Sequence, residues 1–499
     1  MPHPPFIILD ERPGQPIYRQ IYETIRRSIL NGEFHSGRQL PASRLLAKQL
    51  GVSRMTVINA YEQLLAEGYL ESRAGAGTFV AEHLPEEFLQ TPRLERRKGE
   101  AEAAPRSLKF SVYGKNISKQ IGRILQNNQA TPIVPFQHGL AAIDEFPFDI
   151  WSKLASKCYQ TLSRNRFGYG EPAGFYPLRE SVAAYLKSAR AVNCTPEQVI
   201  VTNGAQHAFD LIGRILLEAK TEMWVENPCY SGARHSFQSF GAKIVPVPVD
   251  KNGFDLAAAL RQSRNARMVY VTPSHQFPLG VTMSLARRLQ LLEWARKSQS
   301  WIVEDDYDSE FRYEGRPLAS LQGLDRSGRV LYIGTFSKTI FPALRLGCLV
   351  VPKDLIEIFT AVRALNGSHS ALIDQATLAE FINEGHFVRH IRRMRRLYEQ
   401  RQEILISEVE KQLKESVEIR KSVAGMHLIG WLNDGVKDYS VAGKAAEFGV
   451  KVGAVSSHSP TVAARGGLIL GYTAIDEKQI KKGVRQLAKA IENVEKNRQ

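Results

Sequence analysis

Gly334-Thr335-Phe336-Ser337-Lys338-Thr339-Ile340-Phe341-Pro342-Ala343-Leu344-Arg345-Leu346-Gly347 sets one lysine among hydroxyl side chains and places an arginine seven residues behind it. The stretch follows Val330-Leu331-Tyr332-Ile333, a short apolar run of strand composition. Similar runs, Val199-Ile200-Val201-Thr202, Met268-Val269-Tyr270-Val271 and Trp301-Ile302-Val303-Glu304, alternate with helical segments upstream. That alternation predicts an α/β domain with a largely parallel sheet. Ligands gather at the carboxyl ends of strands in such sheets, which is where Lys338 falls.

The chain has 499 residues, 43% of them hydrophobic, enough for a large core and for two or three domains. Its N-terminus has no basic segment ahead of an apolar run, and no stretch reaches the roughly 18 apolar residues of a spanning helix. A globular, cytoplasmic protein without a membrane partner is expected. Cys158, Cys194, Cys229 and Cys348 lack CxxC spacing, so neither a metal site nor a disulfide framework is expected. The formal charge is +15, yet the first 80 residues hold nine Lys/Arg against seven Asp/Glu. Part of the excess is Arg389, Arg392, Arg393, Arg395 and Arg396, interleaved with Ile391, Met394 and Leu397. A solvated helix face is the preferred reading of that run over a DNA contact.

Three segments are predicted: a compact unit over 12–80, a linker over 81–107 rich in charge and poor in apolar periodicity, and the α/β domain over 108–499. In the first, Ile17, Ile21, Ile25 and Ile29 recur every four residues and define a helix ending at Asn31-Gly32. Ser43 caps a second helix bearing Leu45, Leu46 and Leu50. Ser53 caps a third, with Val57, Tyr61, Leu64 and Leu65 as its buried stripe, ending at Gly68. Two short strands, 69–72 and 78–80, flank Arg73-Ala74-Gly75-Ala76-Gly77.

A helix, a turn and a second helix place the latter's N-terminal side chains in the major groove of DNA. Arg54, Thr56 and Asn59 stay outside the buried stripe and suit phosphate, thymine methyl and base-edge contacts. Ser53 opens the same helix, Arg44 suits a phosphate, and the small Gly75 and Gly77 let the backbone tip approach the minor groove beside Arg73. The segment resembles the GntR-type winged helix-turn-helix in Gly37-Arg38-Gln39-Leu40-Pro41-Ala42-Ser43-Arg44, Leu50-Gly51-Val52-Ser53-Arg54-Met55-Thr56-Val57, 60–70 and 75–80. The resemblance implies binding to double-stranded DNA.

From about Phe136 onward the chain resembles a fold type I aminotransferase, through 334–347, Tyr169-Gly170-Glu171-Pro172-Ala173-Gly174 and Leu178-Arg179-Glu180. Such proteins carry pyridoxal 5'-phosphate, and the resemblance supplies a part for each group it needs. Lys338 would be the catalytic amine that forms an aldimine with the cofactor. Thr335, Ser337 and Arg345 would hold the phosphate, with backbone amides of Ala205 and Gln206 at a helix start. Asp305 would pair with the ring nitrogen, Tyr307 with the phenolic oxygen, and Tyr230 would stack on the ring. Tyr169 would reach the phosphate of a neighbouring subunit, which implies a head-to-tail homodimer. A small C-terminal α/β subdomain is part of the same fold.

The two resemblances cover nearly the whole chain, and their fusion is similar to the MocR/GabR subgroup of GntR-family transcription regulators. The subgroup's pattern includes Thr272-Pro273-Ser274-His275-Gln276-Phe277-Pro278 and Glu304-Asp305-Asp306-Tyr307-Asp308-Ser309-Glu310-Phe311-Arg312-Tyr313. Two positions depart from ordinary aminotransferases: Phe277 stands where an Asn usually precedes Pro, and Asp305 precedes Tyr307 by two residues instead of three. Both touch groups that tune the cofactor. The reading is therefore a regulator that senses an amino compound, or the cofactor itself, through Lys338 without physiological turnover; the alternative is an active aminotransferase carrying a DNA-binding domain. Gly232 replaces an arginine that the GABA-responsive member has after its stacking tyrosine, and Arg465 is the candidate for gripping an effector carboxylate.

Overall fold

The computed structural model describes residues 15–85, 109–122, 132–315, 318–461 and 465–496. It divides into two compact units, Met1–Leu108 and Lys109–Gln499. Most of the expected linker, including 94–100, and the first three residues of the expected DNA-binding segment lie outside the described residues.

In the first unit, α1 (Ile17–Leu30), α2 (Ser43–Leu50) and α3 (Arg54–Ala66) precede an antiparallel hairpin of β1 (Leu70–Arg73) and β2 (Gly77–Val80). Ile21, Ile25 and Ile29 are buried against Leu46, Val57, Leu64 and Leu70, each worth roughly 1.5–3 kcal/mol of transfer free energy. Ile17 and Leu45, read from sequence as part of the apolar faces, are 47% and 51% exposed. Tyr61 crosses the core to donate a hydrogen bond to the Pro41 carbonyl at 2.9 Å. Gly51, at φ +68°, ends α2 in the left-handed conformation and frees the chain to turn into α3. The hairpin is tied back by Leu40 N to Thr78 O at 2.9 Å and Val80 N to Arg38 O at 2.9 Å.

The second unit is built on an eight-stranded sheet. Its strands are β3 (Val199–Thr202), β4 (Glu222–Asn227), β5 (Lys243–Asp250), β6 (Gly253–Phe254), β7 (Met268–Val271), β8 (Trp301–Asp306), β9 (Val330–Thr335) and β10 (Gly347–Val350). The order is β3-β10-β9-β8-β7-β4-β5-β6. Pairs from β5 through β4, β7 and β8 to β9 are parallel, while β10 runs antiparallel to both neighbours. Near-continuous burial of β3, β7, β8 and β10 accounts for their unbroken apolar composition, since helices cover both faces of such a sheet. A smaller antiparallel sheet follows, with β11 (Val417–Ile419), β12 (His427–Leu432), β13 (Gly453–Ala454) and β14 (Gly467–Gly471) in the order β11-β12-β14-β13.

The helix His386–Leu413 buries Phe387, Ile391, Met394 and Tyr398 and turns Arg389, Arg392, Arg393, Arg395 and Arg396 to the exposed side. The solvated face expected from the sequence is what forms. A short helix, Val112–Ser118, packs on the far end of helix Ser231–Ser239: Asn116 Nδ2 donates to Ser239 O at 3.3 Å, and Tyr113 meets Phe240 at 5.2 Å. Among the described residues no helix is long and apolar enough to cross a membrane.

Capping differs between α2 and α3. Ser53 Oγ accepts from Thr56 N at 3.1 Å, but Ser43 lies inside α2, whose cap position is Ala42 with no side-chain bond. The expected Ser43 cap is thus corrected: the helix begins one residue earlier than that role requires. Ser53→Ala should cost about 1 kcal/mol and Ser43→Ala less than about 0.5 kcal/mol. Urea denaturation of the full-length chain checks the contrast, and equal losses would overturn it.

Candidate functional site

The carboxyl ends of the parallel strands bring the chemistry together. β8 ends in Glu304-Asp305-Asp306, and alternation sends the middle side chain to the opposite face from its neighbours. On one face Glu304 accepts from the backbone amides of Leu321 and Gln322 at 2.8 and 2.9 Å. On that face too Asp306 accepts from Arg190 Nε and Tyr332 OH, both at 2.7 Å. The guanidinium and the phenol overcome burial and hold the Asp306 carboxyl below its ordinary range. Asp305 has less support. Its Oδ2 accepts from Tyr270 OH at 2.7 Å, while Oδ1 is buried without a partner. Burial pushes its pKa up to about 7.

Lys338 sits in the turn after β9, half-buried, and donates from Nζ to the Gly139 carbonyl at 2.7 Å. Burial lowers its affinity for protons, against the pull of Asp308 and Asp305. Gly139 reaches it because residues 136–139 pass close beside β14. A Cβ on Gly471 would lie 2.5 Å from Gln137 O and from His138 Cα, so only glycine admits that passage.

A second convergence forms where the helix Ala205–Leu216 begins. Gly204, at φ +89°, precedes it, and a Cβ there would stand 3.6 Å from the Arg345 guanidinium. Arg345 Nη2 donates to Asn203 O at 2.7 Å. Gly347 leaves room for Gly334 O and Gly204 Cα, which would lie 2.9 and 3.1 Å from its Cβ. Ser337 N donates to Thr335 Oγ1 at 3.2 Å. A helix start with an arginine beside it can take an anion by its dipole and free amides; Ala205 and Gln206 open this helix, and Thr335 lies opposite Gly347 in the sheet.

Tyr230 opens the next helix and accepts from Gln206 Nε2 at 3.3 Å. It meets Phe277 edge-on at 5.9 Å. Phe277 is itself ringed by Tyr307, His138, His427 and His458 at 6.0, 5.9, 5.5 and 5.0 Å. Burial pushes His427 and His458 down to about 4 and His138 well below its ordinary value. The wall around Phe277 is therefore made of neutral rings.

Two expected residues are not brought there. Arg465 Nε donates to Leu432 O at 2.9 Å and Nη1 pairs with Glu418 at 2.8 Å. It precedes β14, whose opposite end, Gly471, pairs with His427, about 20 Å away at strand spacing. The guanidinium expected to grip an effector carboxylate is engaged with Leu432 O and Glu418. Tyr169 is 98% exposed and belongs to no cluster of its own unit. Sequence reasoning passed over His275 and Asp308, which bond to each other beside Tyr307; both stood in the quoted motifs, but nothing local says that they meet.

In the first unit Arg44, Ser53, Arg54, Asn59, Arg73, Gly75 and Gly77 are exposed and Thr56 half-buried. Arg54 leans on Ser43 Oγ at 3.4 Å, and Ser53 and Thr56 hydroxyls meet at 2.8 Å. Arg73 pairs with Glu71 at 2.5 Å. Met55, 60% exposed at the start of α3, is an apolar group suited to a thymine methyl that was not singled out from sequence.

Residues 141–486 match the aminotransferase class I and II family, and residues 17–80 match the bacterial regulatory proteins of the gntR family. The chain is 40% identical over 488 residues to the probable rhizopine catabolism regulatory protein MocR of Rhizobium meliloti, covering 97% of this chain and 96% of that one. It is 31% identical to the pyridoxine biosynthesis transcriptional regulator PdxR of Corynebacterium glutamicum, covering 97% and 98%. Among solved structures it resembles LysN, the alpha-aminoadipate aminotransferase of Thermus thermophilus, complexed with N-(5'-phosphopyridoxyl)-L-leucine. That likeness has TM-score 0.70 and 26% identity, over 78% of this chain and 98% of that one.

Pyridoxal phosphate is the cofactor of this fold, and the residues here fit it. The unpartnered, buried Asp305 Oδ1 suits a ring N–H, Lys338 offers a primary amine whose proton affinity burial lowers, and the Gly204 helix start with Arg345 suits a phosphate. Asp305→Asn should weaken cofactor binding about tenfold to a hundredfold, the worth of one hydrogen bond to a charged group. Equilibrium dialysis measures this, and unchanged affinity would remove Asp305 from the site. With both of its units matched and regulators of one kind aligned along nearly its whole length, the chain belongs to the gntR-family, MocR-type transcription regulators, DNA-binding proteins with a pyridoxal phosphate-dependent, aminotransferase-like unit.

Proposed function

We propose that this regulator senses an amino compound, or pyridoxal phosphate itself, at Lys338 and answers by a change in DNA affinity, in the cytoplasm and without physiological turnover. The observation that carries the reading is the convergence of Lys338, the unpaired Asp305 oxygen and the Gly204–Arg345 anion site in a chain that also presents an exposed recognition helix. When bound, the cofactor supplies an aldehyde that condenses reversibly with primary amines. Burial keeps more of the Lys338 amine in its uncharged, nucleophilic form, and Gly139 O holds it in place. Asp305 takes the ring nitrogen, Tyr230 the ring face, Tyr307 the phenolic oxygen, and Ala205, Gln206, Thr335, Ser337 and Arg345 the phosphate.

Phe277 favours sensing over turnover. It places a buried apolar ring where aminotransferases have an amide that contacts the cofactor, so one group that tunes cofactor electronics is missing. Steady transamination abolished by Lys338→Ala would favour the enzyme reading instead.

The exposure of Tyr169 supports a head-to-tail homodimer in which it reaches the partner's phosphate site. Residues 12–80 would read DNA, 81–107 would join them to the 108–499 unit, and two recognition helices would address half-sites separated by multiples of about 34 Å. An effector shifts such a system only by binding two arrangements of the DNA readers unequally. Titration of the purified protein with candidate amines, following cofactor absorbance and promoter binding together, tests the reading: a spectral change with no change in promoter affinity would sink it. Within the DNA reader, Arg54→Ala should cost about 1–3 kcal/mol on the specific site. Arg44→Ala should weaken all sequences alike and lower the salt slope by about 1. Band-shift titrations at several salt concentrations separate the two.

A further inference from the structure

The Tyr307 hydroxyl lies 3.0 Å from His275 Nδ1, and the same nitrogen lies 3.0 Å from Asp308 Oδ2. His275 and Asp308 are 2% and 1% exposed, so water does not compete for either contact. An imidazole nitrogen carries either one hydrogen or one lone pair, and a carboxylate only accepts. The contact with Asp308 therefore requires a hydrogen on Nδ1, in either charge state of the ring. Nδ1 then has no lone pair to offer. The Tyr307 oxygen can share that hydrogen as an acceptor, but its own proton must go elsewhere.

The imidazole lies against two glycines. A Cβ on Gly425 would lie 2.0 Å from His275 Cε1, and one on Gly280 would lie 3.1 Å from its Nε2, so the ring occupies space that only glycine at these two positions leaves open. Ligand-capable atoms of His275, Asp308 and His427 lie within 4.8 Å of one another. His427 Nε2 is engaged with Pro278 O at 2.8 Å and His275 Nδ1 with Asp308, while His275 Nε2 is buried without a partner.

We propose that His275 and Asp308 form a positioning dyad, which denies Tyr307 an acceptor behind it and so aims its proton at the phenolic oxygen of bound pyridoxal phosphate. The proposal rests on the role given to Tyr307 above. Asp308→Leu removes the acceptor, frees His275 to carry its hydrogen on Nε2, and lets Nδ1 take the Tyr307 proton. The test compares binding of pyridoxal 5'-phosphate with that of its 3-deoxy analogue, which lacks the phenolic oxygen, by equilibrium dialysis on the full chain. The expected result is a loss of about tenfold to a hundredfold for the natural cofactor, the worth of a hydrogen bond to a charged group. The analogue should bind unchanged, and Tyr307→Phe should already show the loss and make Asp308→Leu add nothing. If Asp308→Leu does not fold, the smaller Asp308→Ala, which also removes the acceptor and leaves the imidazole in place, gives the same comparison. Equal losses with both cofactors, or no loss with either, would overturn the dyad. A wild-type protein that does not distinguish the two cofactors would instead overturn the role of Tyr307 itself.

Discussion

Strand alternation at the end of β8 is the constraint on which the second unit depends. Three consecutive acidic residues there would be untenable on one buried face, because like charges so close resist ionisation together. The pleat separates them. Glu304 and Asp306 turn toward Arg190, Tyr332 and two backbone amides and fasten neighbouring elements to the sheet. Asp305 turns the other way and is left with a single phenol. Its Oδ1 is buried without a partner, the kind of incompleteness that functional sites carry and cores do not.

The same geometry explains why much of this unit was legible in the sequence. Lys338, Asp305 and Thr272 each follow a short apolar run, and a parallel sheet gathers such run-ends at one edge whatever lies between them. Order along the chain was thus sufficient to predict convergence. What escaped notice depended on contacts between distant segments. Gly139 meets Lys338 across 199 residues, and nothing near either residue announces the other. The place of Arg465 was hidden for a related reason: a shift along one strand of the small sheet moves a side chain many ångströms, and the sequence does not set the register. In the first unit the caps and stripes were readable because they are local, yet Ser43 was misplaced by one position. Helix boundaries turn on single backbone dihedrals that composition does not specify.

Phe277 and the dyad belong to one structural change. Where an aminotransferase places an amide donor, this chain places a buried ring packed among Tyr230, Tyr307 and three neutral histidines. With the amide gone, the contact proposed between Tyr307 and the phenolic oxygen would stand without a second donor, and the direction of its proton would matter more. The motif that removes the amide also carries His275, two residues before Phe277. Asp308 comes from the run that carries Asp305. A backbone that brings β7 and β8 side by side therefore gathers Phe277, Asp305 and the proposed His275–Asp308 dyad at one edge of the sheet.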